Sequence, residues 1–225
     1  MSSLLFAQAP TDWQVYQLKG QVKKMTVIRT SENGNIEREE IEFDRQGYKT
    51  FKTFFKNNVE WDSVSKEMRL ITKERYLPYI DNKRSIMVRT GKEEKEKYGN
   101  DFLFKNTEYW SSNGQHIIIS RGDVYEEHCK EVYNNENKLL SRETDLLITL
   151  GSSKYHNITK YIFTYDKKGE LVRTDIKVSE DGEEKEGYQI FEVQKRDRYG
   201  NIVQRVLKDD TGKTFYVENF TINKR

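Results

Sequence analysis

Apolar and polar positions alternate with a period of two through most of the chain, most clearly between Tyr161 and Ile222. Tyr161, Phe163 and Tyr165 share one side of a ribbon whose other side carries Ile162 and Thr164. Val172, Thr174, Ile176 and Val178 likewise face away from Arg173, Asp175 and Lys177. Aromatic and β-branched residues at that period predict half-buried strands. The runs are punctuated by turns. Asp166 with Gly169, and Asp197 with Gly200, form two Asp-x-x-Gly reversals whose Asp residues lie 31 positions apart. Asp bonds its own backbone two residues on, and Gly accepts the positive φ that closes a tight bend. Glu180-Asp181-Gly182 and Asp209-Asp210-Thr211-Gly212 punctuate the stretches between and after them. One unit is therefore two strands of about ten residues each and two reversals.

Looser copies extend toward the N-terminus. A first strand is expected from Trp13 to Leu18 and a second from Gln21 to Thr30, turned by Asn33-Gly34 into Ile36, Ile41 and Phe43. Asp44 and Gly47 repeat the later turn, and Tyr48 to Phe55 is an aromatic-rich strand. Over residues 59–75, Trp61, Val64, Met68 and Ile71 fit a helical stripe, whereas Met68, Leu70 and Thr72 fit a strand face. The repeat favours the strand, and a short helix is the alternative. Turn starts at Asp44, Asp81, Ser111, Asn134, Asp166 and Asp197 are spaced by 37, 30, 23, 32 and 31 residues. The expected fold class is all-β: an antiparallel β-meander of stacked repeat hairpins with units of about 31 residues, forming one elongated domain over residues 10–225.

The phrase Tyr165-Asp166-Lys167-Lys168-Gly169-Glu170-Leu171 resembles the Tyr-Asp-x-x-Gly-x-Leu core of YD repeats, found in Rhs and teneurin proteins. Phe43-Asp44-Arg45-Gln46-Gly47 and Asp197-Arg198-Tyr199-Gly200-Asn201-Ile202 match it in part. The Arg that usually follows the Gly is replaced by Glu170, Asn201 or Tyr48, and the Tyr before Asp by Arg196. The resemblance covers about the last 95 residues. It implies hairpins stacked side by side in a twisted sheet and a place among secreted, repeat-bearing proteins of bacterial envelopes. The shell-forming role of large members does not carry over, because this chain is too short to enclose anything.

Composition narrows the classes. The 225 residues are 34% charged, 35% hydrophobic and 12% aromatic, too aromatic for a disordered chain. A net charge of +2, with both signs interspersed, gives no global field for nucleic acid, and none is expected as a partner. The lone Cys129 excludes an intrachain disulfide framework and a Cys-x-x-Cys zinc pattern. No apolar run approaches the roughly 18 residues of a helical membrane span, so no span is expected. Ser2 to Ala9 reads as the remnant of a secretory signal, with an apolar run and Ala-x-Ala before Pro10. If residues 1–9 are that remnant, the protein is periplasmic, cell-surface or secreted; otherwise it is cytoplasmic.

Chemical motifs are sparse. His116, His128 and His156 fit no zinc spacing, and the Glu126-Glu127-His128-Cys129 run places His128 and Cys129 on opposite faces of a strand. Gly-x-Ser-x-Gly, Walker A and Gly-x-Gly-x-x-Gly patterns do not occur. The sequence names no catalytic residue, no cofactor and no metal ligand. Asp44, Gly47, Asp166, Gly169, Asp197 and Gly200 are structural turn residues. Trp61, Tyr109 and Trp110 are candidates for stacking against a sugar or peptide, with core packing as the plainer reading. The functional expectation is a secreted or envelope-associated, non-enzymatic binding or scaffold module with a protein or glycan partner, its edge strands open to strand addition. A toxin-associated or immunity-like partner is one alternative. A hydrolase in residues 59–130 is another, and it requires His116 or His128 to meet carboxylates in a cleft.

Overall fold

A computed structural model describes residues 9–60, 63–90, 103–111, 115–122 and 124–225. Among the described residues, one helical turn, α1 (Asp12–Val15), is followed by strands: β1 (Val22–Ser31), β2 (Ile36–Phe43), β3 (Lys49–Glu60), β4 (Ser63–Tyr76), β5 (Lys83–Thr90), β6 (Leu103–Trp110) and β7 (Gln115–Arg121). β8 (Tyr125–Tyr133), β9 (Leu139–Leu150), β10 (Ser153–Tyr165), β11 (Leu171–Glu180), β12 (Glu183–Arg196), β13 (Ile202–Lys208) and β14 (Thr214–Lys224) complete it. Each strand pairs antiparallel with the next, and β14 returns to β1, so the fourteen strands close into a barrel.

The chain is the expected all-β antiparallel meander, but the stacked YD-type arrangement is overturned. Hairpins stacked in a row would leave two open edges; here the register from Met25 opposite Ile222 to Ser31 opposite Tyr216 closes them against each other. The strand addition expected at open edges is corrected for the same reason. Residues 59–60 and 63–75 run in β3 and β4 rather than in a helix, because the two strands pair with each other from Phe51 opposite Arg75 to Glu60 opposite Ser63. The expected first strand from Trp13 to Leu18 is instead α1 and an irregular crossing. Thr11 caps the turn, its side chain accepting from the Gln14 N–H while Gln14 Oε1 accepts from the Thr11 N–H.

The six turn starts read from the sequence open loops at one end of the barrel, because an up-and-down meander returns to the same end every second loop. The spacing near 31 is the length of that return trip. The turns share one mechanism. Asp44, Asn134, Asp166 and Asp197 each accept, through Oδ1, from the backbone N–H groups two and four residues on. The fourth residue of each takes positive φ: Gly47, Asn137, Gly169 and Gly200. A bulge follows where the strands resume pairing. Asp209 and Gly212 build the same turn at the far end.

The outer wall carries ion pairs. Lys24 meets Glu40 at 2.8 Å, Lys160 meets Glu143 at 3.0 Å, Lys177 meets Glu184 at 2.8 Å, and Lys208 meets Glu192 at 2.6 Å. The apolar core lies inside, near the loop end just described: Val22, Met25, Val27, Ile41 and Phe43, with Trp13, Leu18, Phe220 and Ile222 packed against them.

Candidate functional site

Residues 9–20 form a strap across that mouth. Its start is held by the Ala9 N–H donating to Asn82 Oδ1 at 3.1 Å, its end by the Lys19 N–H donating to Asn201 Oδ1 at 2.7 Å. Between them Trp13 donates from its backbone to Gly47 O and from its indole to Val22 O. The indole lies so close over Gly47 that a Cβ there would sit 2.6 Å from the ring, so that glycine is required for contact as well as for its φ of 95°. Asp12, 6% exposed, accepts from the Lys49 N–H at 2.7 Å and from Arg84 Nη2 at 3.1 Å.

The strap divides the mouth into two chambers, with Val15, Tyr16 and Leu139 lining both. The first has a volume of about 470 Å³ and is charged. Five consecutive strands send charged side chains inward: Arg84 from β5, Glu108 from β6, His116 from β7, Glu127 and Glu131 from β8 and Arg142 from β9. Arg84 and Glu108 are cross-strand partners joined by a short ion pair. His116 Nδ1 lies 2.8 Å from Glu131 Oε2, while its Nε2 stands 3.4 Å from Glu108 Oε2, at ion-pair distance but out of hydrogen-bond alignment. Arg142 donates to Glu131 Oε1 at 2.8 Å through Nε. Tyr79 and Tyr133 donate to Glu108 and Glu131, and Trp110 stacks on the His116 ring at 4.5 Å.

Burial alone would push the His116 imidazole down, but the Glu108 and Glu131 carboxylates outweigh it and hold its pKa above the ordinary histidine value. Burial would likewise raise Glu131, yet His116, Arg142 and Tyr133 bring it down to about 2. The sign alternation continues around the wall: Arg205 on β13, Glu218 on β14, Arg29 on β1, Glu39 on β2, Lys52 on β3 and Glu74 on β4. Eleven consecutive strands thus contribute an inward charge to this alternating series, and Lys49 on β3 and Glu127 on β8 add a second to their strands. The arrangement neutralises itself and clamps the wall from within.

The second chamber, about 590 Å³, is amphiphilic. Met25, Val27, Ile41, Phe220 and Ile222 supply its apolar wall, and Lys19, Lys138, Lys168 and Arg196 its rim. A third, outer cavity of about 700 Å³ lies between Ala9, Tyr48 and Tyr79.

A solved structure shares this architecture. The crystal structure of a porin-like protein from Bacteroides uniformis ATCC 8492 superposes with a TM-score of 0.51 over 90% of this chain and 98% of that chain, at 11% identity. At that identity the likeness is one of fold. It also overturns the YD-repeat resemblance, since a closed barrel rather than a hairpin stack is what the chain matches. No family model matches the chain, and no curated protein matches it.

The structure distributes the sequence-derived residues unevenly. Asp44, Gly47, Asp166, Gly169, Asp197 and Gly200 form the strap-end turns, and Gly169 and Gly200 also edge the amphiphilic chamber. Trp61 lies outside the described residues, as do residues 1–8 of the signal remnant. Tyr109 and Trp110 are neighbours on β6 and point to opposite faces, so they build no common platform; Trp110 packs inward on His116. His116 does converge with carboxylates in a deep polar chamber, which the binding-module expectation had excluded, but Glu108 and Glu131 are already taken up by Arg84, Arg142 and the tyrosines. His128 stands on the outer face against Glu126, and Cys129 points inward with its thiol pushed up to about 11 by burial. Among the described residues no group of His, Cys, Asp or Glu is arranged to hold a metal ion. No helix among them is long and apolar enough to cross a membrane, which says nothing of strands.

Proposed function

We propose that the protein is a non-enzymatic binding barrel of the bacterial envelope that stands in water and receives its ligand at the strap end. One observation carries the reading: the outer wall is charged and the inner wall is shaped. A lipid-facing barrel presents an apolar band, and each Lys or Arg placed in it near the bilayer midplane costs roughly 2–4 kcal/mol. Lys160 and Glu143, near the middle of β10 and β9, instead pair on the outside in the manner of a solvated surface. The shared fold of the Bacteroides porin-like protein supports a place in the envelope, and the pairing of Glu108 with Arg84 and of Glu131 with Arg142 speaks against a hydrolytic centre at His116.

Detergent-phase partitioning tests this. Purified without detergent, the chain is expected to give a β-rich circular dichroism spectrum and to stay in the aqueous phase of a Triton X-114 separation. Recovery in the detergent phase, or ion conductance across a planar bilayer, overturns it.

A further inference from the structure

We infer that the amphiphilic chamber is a binding site for a single-chain anionic amphiphile, held with its acyl tail inside the barrel and its acidic head at the rim beside Lys19 and Lys168. The inference rests on the reading of the barrel as a water-standing binding module and names the ligand class.

Three features of the chamber carry it. Its volume, about 590 Å³, falls within the range of roughly 300–1,000 Å³ typical of small-molecule sites. Its open apolar surface is half-buried and comes from Leu139, Tyr165, Leu171, Ile202, Phe220 and Ile222, backed by the packed core residues Met25, Val27 and Ile41. From Met25 near the mouth to Arg29 at the floor, both on the lining, β1 advances roughly 13 Å at about 3.3 Å per residue, enough for a medium-length acyl chain.

The charges fix which way the ligand points. At the floor, Arg29 and Arg205 are both taken up by Glu218, which is 2% exposed, and Arg29 also meets Glu39 at 3.2 Å. An acidic head at the floor would compete with carboxylates already seated there. At the rim, Arg196 is paired with Glu170 and Lys138 with Glu136. Lys19 and Lys168 have no ion-pair partner among the described residues, and both line the opening. A cation without a carboxylate, poised above an apolar wall, is complementary to an anionic head on an acyl tail and repels a cationic head of the same length.

Isothermal titration of the full chain with sodium dodecanoate below its micellar concentration tests the site. The expected result is one-to-one binding. Affinity should fall roughly threefold to fourfold per methylene removed, down to no measurable binding of acetate. Dodecyltrimethylammonium should bind at least tenfold more weakly. The exposed double variant Lys19→Glu, Lys168→Glu should lose at least tenfold for dodecanoate and regain affinity for the cationic amphiphile. Absence of dodecanoate binding, equal affinity for both head groups, or indifference to the double substitution each overturns the site. If binding fails while the protein stays in the aqueous phase, the site is wrong and the binding-barrel reading survives. If the protein enters the detergent phase, that reading falls first.

Discussion

The two chambers under the strap share a wall, a mouth and three lining residues, yet one is filled with charge and the other is left open. In the charged chamber the central carboxylates and guanidinium groups are already committed to neighbours, while His116 Nε2 and Asn106 Oδ1 are left without a hydrogen bond among the described residues. Arg84 is held by Asp12 and Glu108, Glu131 by His116, Arg142 and Tyr133. In the amphiphilic chamber the ionic clasp of Arg29, Glu218 and Arg205 sits lower, toward the far end, and leaves half-buried apolar side chains such as Leu171, Ile202 and Phe220 facing the cavity. The difference teaches that a wet barrel interior can be structural on one side and receptive on the other. What separates the two is whether its charges are spent on each other.

That contrast can be broken most forcefully at Glu108. Glu108→Gln takes from Arg84, 1% exposed at its side chain, and from His116 one of the two carboxylates that each faces, leaving Asp12 and Glu131 as the remaining counter-charges, and the loss of a buried partner of this kind is expected to cost about 3–5 kcal/mol. Urea denaturation reads it, with Glu143→Gln on the outer wall as the near-neutral control. Equal effects at the two positions would mean that the interior network is no more than a solvated surface. Next in size, Ile41→Ala opens the apolar core and is expected to cost about 2–5 kcal/mol while leaving the pH dependence of stability unchanged.

A smaller effect lies in that pH dependence. With its pKa raised in the fold, His116 lends stability that is complete below its ordinary value of 6.5 and is lost as the pH climbs through the raised value. Glu131, lowered to about 2, lends stability that is complete above its ordinary value of 4.5 and fades as the pH falls toward 2. The network is therefore at full strength between about 4.5 and 6.5. Thermal melts of wild type and His116→Asn across pH should converge on the alkaline side and diverge inside that window. Parallel curves would remove His116 from the network. Smallest of all, Gly200→Ala and Gly212→Ala should each cost about 1 kcal/mol through positive φ alone. Gly212 has open space around its missing side chain and Gly200 has only the end of the Lys19 side chain nearby, so unequal costs would point to the chamber rim rather than the backbone.

The turns and the meander were legible because their causes are local. An Asp that accepts from two backbone N–H groups and a Gly at positive φ are written within five residues, and they recur at Asp44, Asp166 and Asp197. Closure was not legible, because it depends on Val27 finding Phe220 across the seam and on accumulated twist, neither of which has a local trace. The interior charges were hidden for a different reason. Period-two polarity looks the same for a strand with water outside and for one with a polar lumen inside. Glu131 and Arg142 oppose each other across their turn inside the barrel just as Glu143 and Lys160 do outside it, so complementary sign reveals register but not face. The strap did carry a signal: the Thr11-x-x-Gln14 spacing marks a capped helical turn where alternation alone reads a strand.

The seam between β1 and β14 has a consequence for how the molecule comes into being. Its first and last strands are neighbours, so a ribosome must release nearly the whole polypeptide before the wall can be completed. Until then two unsatisfied rows of amides and carbonyls face outward on a growing, curling sheet. A nascent chain in that state is a substrate for holding chaperones and a hazard for self-association, and β14 acts as its zip.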